Sequence, residues 1–82
     1  MNEEEIFGKI LQEERNFKKI SQEKLSKLTG LDRTFISLIE NGKRSPTLTT
    51  ILKISAALEI SPSDLFLKFE SHVPDFHRKG GR

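Results

Sequence analysis

Arg33, Thr34, Ser37 and Leu38 fall within a short segment whose remaining hydrophobic residues are Phe35, Ile36 and Ile39. If that segment is helical, Phe35, Ile36 and Ile39 turn inward, and the other four lie on other sides together with Asn41. An arginine at such a position offers a planar fork that matches the O6 and N7 acceptors of a guanine edge. Thr34 can donate to a base edge or touch a thymine methyl, and Leu38, which cannot hydrogen-bond, suits either a thymine methyl or packing against a partner or Leu48. The chemistry on offer is recognition of polar edges and not bond cleavage. No paired carboxylates, Ser-His-Asp set, phosphate loop or metal-ligand spacing occurs in the chain, which points away from an enzyme. His72 and His77, the histidines of the chain, stand five apart in a polar tail and make no metal site. No metal, cofactor or small-molecule effector is expected.

These residues need a scaffold. Ser21 to Gly42 has the outline of two short helices joined by a tight turn. Ser21 caps the first helix, Leu25 and Leu28 form its apolar stripe, and Gly30 stops it. Asp32 caps the second, and Asn41-Gly42 ends it. Helices of this length are well short of the ~12–15 residues that are marginal alone in water, so the pair must lean on the rest of the chain. Gln22, at the start of the first helix of the pair, can face a phosphate oxygen beside the helix N-terminal N–H groups.

The spacing predicts three further helices and no strand. Residues 3–17 carry Phe7, Ile10 and Leu11 on one stripe, widened by Ile6. Glu14, the next position on that stripe, is charged, so either the stripe stops early or Glu14 lies at its edge, and Phe17 is expected to cover the end of the core. Gly8 costs this helix about 1 kcal/mol relative to alanine, and either it is simply tolerated or it marks a close helix approach. Ile20 before the Ser21 cap, with Leu25 beyond it, resembles a hydrophobic staple, while Lys24 replaces the glutamate of a full capping box. Thr47 caps a helix over 48–58 with Leu48, Ile51, Leu52, Ile54 and Leu58 as its apolar set. Ser61-Pro62-Ser63-Asp64 starts a last helix over 62–69 carrying Leu65, Phe66 and Phe69. That helix holds more apolar side chains than it can bury locally, which predicts a homodimer through Leu65, Phe66 and Phe69. The expected organisation is one all-α domain of five helices over 3–69 and a flexible, mildly basic tail over 70–82.

Composition sets the remaining bounds. With 82 residues and no cysteine, the chain is a single domain without disulfides or thiolate metal sites. It lacks a basic leader and an apolar run long enough for a membrane, so a cytoplasmic location is expected. Net charge is +2, yet it is unevenly spread. Residues 1–14 set five glutamates against Lys9, a balance of −4, whereas residues 15–46 carry a balance of +5. A basic centre beside an acidic end fits a face for nucleic acid.

The residues also resemble a known family. Arg15, Ser21-Gln22, Leu25, Gly30, Ile36-Ser37, Ile39-Glu40-Asn41-Gly42 and Pro46 match the pattern of the xenobiotic response element (XRE) family of helix-turn-helix regulators, relatives of phage Cro and repressor domains. The resemblance covers roughly residues 7–67. It implies a five-helix, lambda-repressor-like domain that binds a palindromic operator in double-stranded DNA as a homodimer. It also implies base contacts from Arg33, Thr34, Ser37 and Leu38, and phosphate contacts from Gln22, Asn41 and Lys43, with Arg44 added. In this family the residues matching Arg15 and Glu40 form an ion pair. The stretch Leu31 to Ser37 looks most like the small controller proteins of restriction–modification systems. Lys24, Ser26 and Glu14 depart from the family pattern, and none of them belongs to the base-reading set. A second reading is an antitoxin or other interaction module that uses Val73, Phe76 and His77 of the tail.

Overall fold

The computed structural model describes residues 1–73; the expected tail contacts of Phe76 and His77 lie outside the described residues. Five helices follow in order: α1 (Glu3–Phe17), α2 (Gln22–Thr29), α3 (Arg33–Glu40), α4 (Leu48–Leu58) and α5 (Pro62–Ser71). No strand occurs among the described residues.

Each helix starts where a short polar side chain can accept from a free backbone N–H. Ser21 accepts from Lys24, Asp32 from Thr34, Thr47 from Thr50 and Ser61 from Asp64, each at 3.0–3.1 Å. Asn2 and Glu5 form a full capping box on α1, with reciprocal bonds of 2.8 and 3.0 Å. At the other end of α2, Gly30 takes φ 77°, the left-handed turn that releases the chain toward α3.

The core draws on every helix: Phe7, Ile10 and Leu11 of α1, Leu25 of α2, Ile36 and Ile39 of α3, Ile54 and Leu58 of α4, and Leu65 of α5. The α2–α3 pair is held by α1 against α3 and by α4 against α2, while α5 closes the far side on α1 and α4. Gly8 is a point of close approach. A Cβ there would overlap the carbonyl oxygens of Ile39 and Glu40, so α3 ends directly on the backbone of α1. Phe7, Phe66 and Phe69 form an aromatic cluster with centroids 5.7–6.2 Å apart.

Several expectations are corrected. Phe17 does not cover the core; it is 79% exposed, because the chain turns away from it through Lys18 and the left-handed Lys19. Leu28, Leu48 and Leu52 also face outward, since α2 and α4 each bury a narrower stripe than their apolar residues suggested. Of the two alternatives for Glu14 the early stop is ruled out: Glu14 is buried, and Lys68 of α5 reaches across to it at 3.1 Å. Leu65 cannot belong to a dimer interface, being fully enclosed in the core of its own chain. The last helix runs past residue 69 to Ser71, whose hydroxyl donates to the Lys68 carbonyl at 2.8 Å. The tail expected over 70–82 therefore begins inside α5.

Candidate nucleic-acid interface

The sequence of α3 dictates a two-sided helix. Ile36, Ile39 and Glu40 are buried, Arg33 and Thr34 are exposed, and Ser37 and Leu38 are half-buried. Phe35, expected to face the core, is only half-buried at its edge, packed against the cluster. The outer side chains converge. Arg33, Thr34, Ser37 and Leu38 line one shallow depression of about 190 Å³, and Gln22 from the start of α2 completes its wall. Four positions from one helix and one from its neighbour thus form a single surface, with a fork, an amide, two hydroxyls and one apolar patch.

The α2–α3 angle is held from below by Arg15. Its Nε donates to Glu40 Oε2 at 2.7 Å and its Nη2 to Glu40 Oε1 at 3.0 Å. The third arm, Nη1, donates to the Ile20 carbonyl at 2.8 Å, just before α2 begins. The side chains of Arg15 and Glu40 are 10% and 2% exposed, so the two-bond fork acts in a poorly hydrated setting. One guanidinium therefore joins α1, the entry to α2 and the end of α3. Gln22 joins the same network, donating from Nε2 to Glu40 Oε1 at 3.0 Å. Nothing in sequence spacing signals that bond, because it depends on the angle between α2 and α3.

The loop after α3 carries the remaining candidates. Gly42 takes φ 74° and lies against Glu5, where a Cβ would meet the Glu5 Cα at 2.8 Å. The start of α1 thus buttresses this turn. Asn41 and Lys43 are exposed, and Asn41 Nδ2 lies 3.4 Å from Ser37 Oγ. Arg44 lies over the Phe35 ring, 5.3 Å from its centroid, a cation–π contact that orients the guanidinium beside the end of α3. Sequence reasoning misses this contact, although an aromatic nine residues before an arginine is visible in the chain.

Among the described residues no cluster of His, Cys, Asp or Glu could hold a metal ion. No helix among them is long and apolar enough to cross a membrane. The arrangement sets donors, acceptors and cations on a two-helix face.

A supporting helix, a left-handed glycine turn and a second helix with an outward polar face define a helix-turn-helix domain of the DNA-binding type. A family model described as helix-turn-helix matches residues 11–65, and the chain belongs to that family, the XRE-type transcription regulators. Control protein C.MunI from a Mycoplasma species is 46% identical over 72 residues, covering 85% of this chain and 97% of that protein. Control protein C.BamHI from Bacillus amyloliquefaciens is 46% identical over 61 residues, covering 73% and 75%. The crystal structure of the restriction-modification controller protein C.AhdI from Aeromonas hydrophila matches with a TM-score of 0.73 at 45% identity, covering 76% of this chain and 94% of that one.

Proposed function

We propose that the protein is a restriction–modification controller that binds a palindromic operator as a homodimer, with α3 in the major groove. The observation that carries this reading is the single surface made by Gln22, Arg33, Thr34, Ser37 and Leu38. In this reading Arg33 takes a guanine edge, Thr34 and Ser37 add hydroxyl contacts, and Leu38 packs on a thymine methyl. Gln22, Asn41, Lys43 and Arg44 meet the phosphates on either side and supply the salt-dependent share of the affinity. The likeness to control proteins supports the restriction–modification setting.

The dimer is supported by α5, where Leu67 is 62% and Phe66 39% exposed although the helix also feeds the core. Selection of bound sites from a random duplex pool tests the whole reading. A two-fold symmetric consensus is the expected result, because half-site spacing mirrors the symmetry of the protein. A consensus of one half-site, or no enrichment, would overturn it.

A further inference from the structure

We propose that residues 74–82 of this chain dock in cis along the outer face of α1, in a groove that runs from Ile6 to Phe17. The proposal does not depend on what the α2–α3 face binds.

Helical spacing builds the face. Ile6, Lys9, Glu13 and Phe17 follow one another at intervals of three and four, so they form one stripe along α1. Two hollows lie over it. The first, of about 400 Å³, is lined by Met1, Ile6 and Ile10 together with Lys9, Glu13 and His72. The second, of about 490 Å³, lies between Phe17 and the start of α5, where Glu59 and Asp64 also line it. Glu13 lines both, so the two hollows adjoin. None of these residues lines the depression at Arg33.

The stripe is uncovered in two respects. Phe17 is 79% exposed, a large ring left in water at the end of the groove. The side chains of Lys9, Glu13, Glu59 and Asp64 have no ion-pair partner among the described residues.

The order of residues in the chain points to the occupant. The backbone leaves α5 at the first hollow, since His72 lines it and Val73 follows. Beyond the described residues the sequence offers an acid, an aromatic ring and then three cations: Asp75, Phe76, Arg78, Lys79 and Arg82. From the same starting point the groove presents Lys9, the apolar wall of Ile6 and Ile10, then the carboxylates of Glu13, Glu59 and Asp64 around Phe17. One ring thus matches one apolar hollow, and three cations match three carboxylates. Reach is sufficient, because nine extended residues span up to ~30 Å whereas Ile6 to Phe17 is ~17 Å of helix. Tethering also sets an effective concentration on the order of millimolar, which an unrelated peptide lacks. Phe76 supplies the apolar contact. The ion pairs are exposed, and so individually weak and sensitive to salt. Docked in this way, the segment covers the stripe and keeps its cations off the Arg33 face.

The chain has no cysteine, so Gly81→Cys carries a single nitroxide, keeps all three cations, and lets the full chain be read by amide NMR. The expected result is that Glu13, Phe17 and Lys18 lose most of their signal intensity while Arg33 and Thr34 keep theirs. Adding Phe76→Ser, or raising the salt concentration, should restore the α1 signals. Intact α1 signals in the labelled chain, or equal losses at Arg33 and Thr34, would overturn the proposal. So would losses that persist in full after Phe76→Ser and in high salt, since tethering alone would then account for them. A mixed sample, in which isotope-labelled chains carry no nitroxide and nitroxide-labelled chains carry no isotope, separates cis from trans. Losses there as large as in the singly labelled chain would assign the groove to the segment of a second copy and overturn docking in cis.

Discussion

Gly8 and Glu40 meet backbone to backbone: a Cβ on Gly8 would lie 2.7 Å from the Glu40 carbonyl oxygen and closer still to that of Ile39. Gly8→Ala brings a helix-propensity gain of about 1 kcal/mol. It also forces α1 away from α3, and the net loss should be about 2 kcal/mol. For a domain of this size that is roughly 10 °C in Tm. A thermal melt of the variant matching or exceeding wild type would contradict the close approach.

Glu40→Ala leaves the Arg15 guanidinium buried without its counter-charge, and the expected cost is about 3–5 kcal/mol. Glu59 is the control. It is exposed and engages Lys18 only through its backbone carbonyl, at 3.4 Å, so Glu59→Ala should stay within about 0.5 kcal/mol of wild type. Equal melting temperatures for the two variants would show that the pair adds nothing to stability.

Arg33→Ala should weaken binding to a selected operator by about 1–3 kcal/mol and relax the preference at one base pair per half-site. Lys43→Ala should weaken all duplexes alike and reduce the salt slope by about one per protomer. Competition titrations with single-base variants separate the two. Unchanged discrimination in Arg33→Ala would reassign the base-reading role.

Leu65 and Leu67 differ by two positions and should differ in kind. Leu65→Ala hollows the core and should cost about 2–5 kcal/mol with little effect on association of the folded chain. Leu67→Glu should keep the helical spectrum and shift sedimentation toward monomer at concentrations on the order of tens of micromolar. A Leu67→Glu variant sedimenting as wild type would move the dimer face off α5.

Ser55 is 2% exposed, and its hydroxyl finds no partner among the described residues. Ser55→Ala removes a buried polar atom from the middle of α4 and favours the helix. Stability should rise by about 1 kcal/mol, read from urea or thermal melts. A loss of stability would mean that the hydroxyl is satisfied in solution.

The helix ends are legible because each is decided locally, by one side chain within three residues of the backbone group it satisfies. Ser21, Asp32, Thr47 and Ser61 cap helices where the sequence places them. The Asn2–Glu5 capping box is equally local, but a run of three glutamates reads first as charge and conceals it. What sequence periodicity does not carry is the width of a buried stripe, which depends on the helix lying opposite. Leu52 is exposed and Ile54 buried on one helix for that reason. Glu14 is the reverse case, a charge enclosed because Lys68 arrives from fifty-four residues away. Of the candidate face, the outward set on α3 is visible in the spacing, and the bond from Gln22 to Glu40 is not.

The seating of α3 on Gly8 and Arg15 has a kinetic meaning as well. An eight-residue helix would ordinarily fray on its own, yet this one cannot open without releasing α1. Amide hydrogens of Ile36, Ile39 and Glu40 should then exchange only through global unfolding. The entropy of ordering α3 is lost when the chain folds, not when it meets its target, which leaves fast, rigid docking and little scope for adapting to a different sequence.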